Sequence, residues 1–201
     1  VRLVVPSYNL TDDSVYLFKT PHHERLKRDW RVRMVDVAMA TSAAPTYFPA
    51  FEFDHQRLID GGVWANNPAA VGIAEAISMC GASLDEVRVF SLGTTSDLRH
   101  RGRRLNRGGL LPWATAGAEV LLRGQSIAAF NLAAHLVGAS NVVRVDPTVP
   151  AGVLRLDGVN PDELVGRARS EGRRCQPRFD QVFGGHDAPP FVPMHPVREA
   201  S

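Results

Sequence analysis

Residues 87–93, VRVFSLG, form a short, nearly continuous apolar run with helix signals on either side, and no other feature of the 201-residue chain restricts its fold as much. A strand that is apolar on successive residues has both faces covered, and its usual setting is a parallel sheet with helices above and below. The surrounding signals alternate accordingly. RLVVPSY and VYLFKT, separated by the turn-forming NLTDDS, predict two strands in a hairpin. MVDVAMATSAAP predicts a helix stopped by Pro45, and RLIDGG a short strand ending at Asp60. Asn67 as cap and Pro68 as first residue open a helix through Ile73, Ala74, Ile77 and Cys80, with Gly81 suited to the left-handed position that ends it. Residues 110–137 read as one long helix or two, with Leu110, Trp113, Gly117, Val120, Leu121 and Ile127 on a broad apolar face and Glu119 four residues before Arg123. NVVRVD is a further short strand, and Asn160 with Glu163 has capping-box spacing at the start of a final helix. The expectation is an α/β layered fold, a mainly parallel central sheet flanked by helices, over residues 1–183, with a Pro- and Gly-rich tail over 184–201.

Composition sets outer bounds. With 44% hydrophobic and 22% charged residues the chain fits an ordinary globular protein with one core. No uninterrupted apolar run approaches the roughly 20 residues that cross a bilayer, and the N-terminus lacks a basic-then-apolar leader, so the expected location is cytoplasmic or peripheral at a membrane. Cys80 and Cys175 lie far apart in unlike contexts and read as reduced, structural thiols. The chain begins with Val1 and opens directly into a strand, which reads as a segment of something longer. Charge is concentrated in residues 99–107, where Arg99, Arg101, Arg103, Arg104 and Arg107 occur with no acid; without those five the formal charge of +2 becomes −3. Such a run buries nothing. It is either a solvated loop or a contact for phosphate headgroups or another anion.

Strand ends in α/β folds collect chemistry, which directs attention to RLIDGGVWANNP. The Asp60 carboxylate would project into a crevice, while Gly61 and Gly62 permit a backbone path that side chains would obstruct. Asp60 reads equally as a base or as a turn carboxylate bonded to its own backbone. Trp64, Asn66 and Asn67 are candidate supports around it, although capping already accounts for Asn67. SLGTT reads as a strand end on the same crevice. The seven histidines show no metal-binding spacing, so neither a metal nor a cofactor is expected, and His55 reads as a surface residue.

The order ATSAAPTYFPAF, then LIDGGVWANNP, then VFSLGTT resembles the C-terminal half of the catalytic domain in patatin-like phospholipases, most closely the bacterial members. The resemblance covers about residues 2–95 and is plausible to about 145. It implies a lipid acyl hydrolase working through a Ser-Asp dyad, with Asp60, Gly61 and Gly62 as the second catalytic motif. The family's nucleophile lies in a Gly-x-Ser-x-Gly turn and a Gly-rich loop supplies oxyanion donors; neither motif is in this sequence. GQSIA at 124–128 comes nearest, but Ala128 stands where Gly belongs and Ser126 falls inside a predicted helix; Ser42 reads as a backbone-bonding hydroxyl. The expectation is a catalytic domain incomplete at its N-terminal side, holding the base without the nucleophile. The implied partners are a lipid ester or phospholipid and a transient membrane surface. The other readings are a noncatalytic module that binds a nucleotide or anionic surface through the Arg-rich loop, and a nucleic-acid binder. No nucleic acid is expected, because no recognition module or aromatic platform accompanies the arginines.

Overall fold

The computed structural model describes residues 1–98, 105–106, 108–109, 113, 116–150, 161–185, 190 and 192. These fall into two compact units, one from Val1–Val87 with Leu121–Leu132 and the other from Arg88–Val120 with Ala133–Asp187. Helices and strands, with parallel pairing among them, give the expected α/β class.

The first unit is built on a four-stranded antiparallel sheet. Strands β1 (Val4–Asn9) and β2 (Ser14–Lys19) form the predicted hairpin, with Val4 opposite Lys19 and Asn9 opposite Ser14. Asn9 and Asp12 close its turn: the Asn9 side-chain amide donates to Asp12 Oδ2 at 2.8 Å and its Oδ1 accepts from the Thr11 amide at 2.9 Å. Strand β4 (Gln56–Asp60) adds to the other edge of β1, and β3 (Phe51–Phe53) pairs with β4, giving the order β2-β1-β4-β3. Asp54 and His55, both with positive φ, make the tight turn between β3 and β4, and His55 is exposed. Alternation along β2 sends Tyr16 and Phe18 into a core with Val37, Ala40 and fully buried Leu58. The Tyr16 and Phe18 rings lie 4.7 Å apart, and Phe53 meets Phe18 edge-on.

Helix α1 (Met34–Thr41) stops well before Pro45, the expected terminator. Tertiary bonds divert the chain first. Thr41 Oγ1 donates to the Pro6 carbonyl at 2.7 Å, and the Ala43 carbonyl accepts the Asp60 amide at 3.0 Å instead of continuing the helix. Helix α2 (Gly62–Ala65) is a single turn, and α3 (Ala69–Cys80) runs to Gly81 at φ 72°, the left-handed ending anticipated there. Ile73 and Glu75 are its buried side chains. Glu75 accepts from Lys19 Nζ at 2.6 Å and stands 2.9 Å from His22 Nε2, linking α3 to the end of β2.

In the second unit β5 (Val89–Leu92) pairs in parallel with β7 (Val142–Val145), and β6 (Ser96–Leu98) with β8 (Thr148–Pro150). Burial of β5 on both faces is not what the structure shows: Phe90 and Leu92 are exposed and Ser91 is buried. The buried residue on β5 is the polar one because its hydroxyl accepts from Arg144 Nη1 at 2.7 Å on β7. Phe90 instead meets Phe179 and Phe183 of the final helix.

Helix α4 (Gly117–Val137) forms where one long helix was an option, yet Leu121 and Ile127 of its proposed apolar face are exposed, and its buried residues are Ala133 and Val137. It is the one helix among the described residues that is long and apolar enough, by length and composition alone, to cross a membrane. Helix α5 (Pro161–Phe183) supplies the expected final helix. Leu110, Asn160 and most of 184–201 lie outside the described residues. Both cysteines are free; Cys80 is exposed and Cys175 half-buried.

Candidate active site

Asp60 is the last residue of β4, opposite Ser7 of β1. Ser7 is buried and its hydroxyl donates to the Ile59 carbonyl at 2.7 Å, which ties the two strands one residue short of the carboxylate. Beyond the strand the chain turns at once into α2. The Gly62 amide donates to Asp60 Oδ1 at 2.7 Å, so the carboxylate closes its own turn. Asp60 is half-buried, and among the described residues its second oxygen, Oδ2, accepts no hydrogen bond and is not sealed from solvent. One oxygen is held by an amide, and the other has no hydrogen-bond partner among the described residues.

Gly61 is buried against Pro6, and any side chain there would collide with the Pro6 backbone. At Gly62 a Cβ would stand 3.0 Å from Asp60 Oδ1 and 3.3 Å from Asn66 Oδ1, so the absence of a side chain keeps the carboxylate's approach clear. Trp64 does not bond Asp60. Its Nε1 donates to the Ser7 carbonyl at 2.9 Å and acts on the residue facing Asp60. Asn66 is exposed and its amide donates to Gln125 Oε1 at 3.0 Å; buried Asn67 accepts from the Ala69 amide at 3.2 Å and donates to the Ser126 carbonyl at 3.3 Å, but the N-cap of α3 is Pro68, one residue later than expected, with Ala69 the first helical residue. Ser126 meets this region through its backbone, within α4. Ser42 Oγ donates back to the Ala38 carbonyl at 2.7 Å, the backbone-bonding role expected of it. Nearby Tyr8 donates to Asp13 Oδ1 at 2.5 Å, and that bond, with burial and the Asp13 charge, raises the phenol above its usual range.

Sequence reasoning missed Ser7, Thr41 and Gln125. A serine in a strand, a threonine ending a helix and a glutamine in mid-helix carry no local signal; each matters only through a partner more than 30 positions away. The SLGTT strand end belongs to the other unit. Arg99, Arg101, Arg103, Arg104 and Arg107 lie outside the described residues. No group of three or more metal-ligating side chains occurs among the described residues.

Residues 6–73, the span carrying β1 to the middle of α3 and hence the whole Asp60 turn, match the family model for patatin-like phospholipase. A cGAMP-activated phospholipase from Pseudomonas aeruginosa is 32% identical over 215 residues, covering all of this chain and 64% of that protein. The chain belongs to the patatin-like phospholipase family. A second cGAMP-activated phospholipase, from Vibrio cholerae, is 38% identical to this patatin-like chain over 103 residues, 48% of the chain and 29% of the relative. Patatin-like protein 2 of Arabidopsis thaliana is 36% identical over 105 residues, 41% of the chain and 26% of the relative. The chain therefore spans less than two thirds of the length of each of these relatives.

Proposed function

We propose that this patatin-like chain is the base-bearing part of a lipid acyl hydrolase, with Asp60 as the general base of a Ser-Asp dyad. The observation that carries the reading is the carboxylate itself: half-buried at a strand end, Oδ1 held by the Gly62 amide at 2.7 Å and Oδ2 open. Hydrolysis through an acyl-enzyme needs a hydroxyl nucleophile, a base within about 3 Å of it, and donors for the oxyanion. Oδ2 would take the serine proton; Gly62 leaves room for that serine, while Gly61 lets the turn seat on Pro6. The 201 residues contain no Gly-x-Ser-x-Gly, so on this reading they do not hydrolyse an ester by themselves, and the serine and oxyanion donors come from other residues of the full protein. The substrate is a lipid ester or phospholipid, met at a membrane surface by a peripheral cytoplasmic protein. The names of the Pseudomonas and Vibrio relatives add activation by cGAMP, and the matching proposal here is a hydrolase switched on by a nucleotide.

The test is Asp60→Asn in the full protein, assayed on a phospholipid. Asn keeps an oxygen for the Gly62 amide, so the fold should survive while kcat falls by something like the 10² to 10⁴ of general-base loss. A rate within about threefold of the parent would remove Asp60 from the mechanism and leave it a turn carboxylate. In that case the second reading gains, a noncatalytic module that binds a nucleotide or anionic surface through Arg99, Arg101, Arg103, Arg104 and Arg107.

A further inference from the structure

A groove of about 360 Å³ lies between β2 and residues 25–29. Because side chains alternate along a strand, the face of β2 that sends Tyr16 and Phe18 to the core leaves Val15, Leu17 and Lys19 to wall the groove. Its charge is one-sided. Lys19, Arg25, Lys27 and Arg28 line it against a single acid, Asp29. Lys19 is already neutralised by Glu75 at 2.6 Å, and Arg28 by Asp29 at 2.8 Å. Arg25 and Lys27 are exposed, and among the described residues their side chains meet no acid, so two positive charges remain uncompensated.

Arg28 supplies a fixed point between them. Its Nε and Nη2 donate to Asp29, Nη2 also donates to the Leu17 carbonyl at 2.8 Å, and the guanidinium lies 4.0 Å from the Tyr16 ring centre. Those bonds occupy three of the five guanidinium N–H groups and leave both on Nη1 uncommitted. A guanidinium locked by its own contacts, with a free pair of donors, suits a phosphate, since none of its ordering entropy is lost on binding. Half-buried Leu17 and Leu26 add an apolar wall, and the volume sits at the small end of the roughly 300–1,000 Å³ of small-molecule sites. A membrane surface would ask instead for a convex apolar rim, and among the apolar lining residues only Val15 is exposed.

We propose that this groove binds a small phosphate-bearing molecule, its phosphate on Arg28 Nη1 with Arg25 and Lys27, and its less polar remainder against Leu17 and Leu26. Nothing in this assignment depends on Asp60 or on hydrolysis, and it is tested by binding alone. The full protein is titrated calorimetrically at low ionic strength with inorganic phosphate and with adenosine monophosphate, and by flotation with phosphatidylcholine vesicles with or without phosphatidylglycerol. Both soluble probes should bind, the nucleotide more tightly. The Arg25→Ala/Lys27→Ala variant should keep its melting temperature and lose about tenfold or more in nucleotide affinity, as expected for deleting charge-assisted contacts. Lys27→Glu, a second variant at an exposed position, should lose more than Lys27→Ala. Replacing the five arginines of 99–107 by alanine should leave this binding intact. The proposal is overturned by absence of binding to both soluble probes, by parent-like affinity in the groove variants, by loss of binding in the 99–107 variant, or by a response to anionic vesicles only.

Discussion

Gly61 lies flat against Pro6, so close that a single methyl group on Gly61 would enter the shell of the Pro6 carbonyl oxygen. That contact holds the turn after β4 down on β1 and so fixes where the Asp60 carboxylate begins.

The two glycines of the turn should therefore respond differently to the same substitution. Gly61→Ala forces backbone apart and should cost about 1–3 kcal/mol or more in urea unfolding. Gly62→Ala meets only side-chain oxygens at 3.0 and 3.3 Å, which can give way, and should cost much less. Equal losses in the two variants would show that the Pro6 contact does not govern the turn.

Trp64 offers a cleaner deletion. Trp64→Phe keeps an aromatic body but loses the Nε1 bond to the Ser7 carbonyl, and the expected loss is about 1 kcal/mol, the net value of one such bond. An unfolding midpoint unchanged from the parent would mean that water replaces the indole without cost.

The Lys19, His22 and Glu75 cluster should be the most sensitive polar site of the first unit. Glu75→Gln strips the charge from between a lysine and a fully enclosed histidine, and breaking a buried pair in this way costs about 3–5 kcal/mol. The double variant Lys19→Met/Glu75→Leu, which removes both charges, should recover part of that loss. A double variant less stable than Glu75→Gln would refute this account.

Alkaline pH should weaken the core through Tyr16. Burial, reinforced by the Asp29 charge and hydrogen bond against a smaller opposing effect of Arg28, pushes its phenol from 10.0 up to about 12. A raised folded-state value means the contribution is whole below pH 10 and is lost as pH rises toward 12, because the unfolded chain gives up the proton first. Melting curves between pH 10 and 12 should fall less steeply for Tyr16→Phe than for the parent.

What the sequence made legible is local. The β1–β2 hairpin follows from two apolar runs around TDDS, and α3, to within one residue at its start, from Asn67 and Pro68 at one end and Gly81 at the other, because capping and turn chemistry act within a few residues. The surroundings of Asp60 were not legible. Ser7 stands 53 positions earlier and reaches the site only through strand pairing, and Glu75 meets Lys19 across 56. The groove beside β2 has no local signature for a different reason: Glu24 and Asp29 interleave with the basic residues of 19–33, and only the structure shows that Asp29 is taken up by Arg28 while Arg25 and Lys27 are left over. At β5 length and periodicity point the wrong way: the apolar run predicts a strand covered on both faces, yet its buried member is Ser91.

The Ser7 to Asp60 register also says where this stretch of gene can change length. Side chains on a strand alternate faces, so one codon gained or lost within β4 would carry the carboxylate to the opposite side of the sheet. A codon added between Thr46 and Pro49, where the chain is exposed and unpaired with any strand, would be absorbed without moving it. Insertions and deletions tolerated by natural selection should accumulate on the α1 side of β3 and stop short at Gln56.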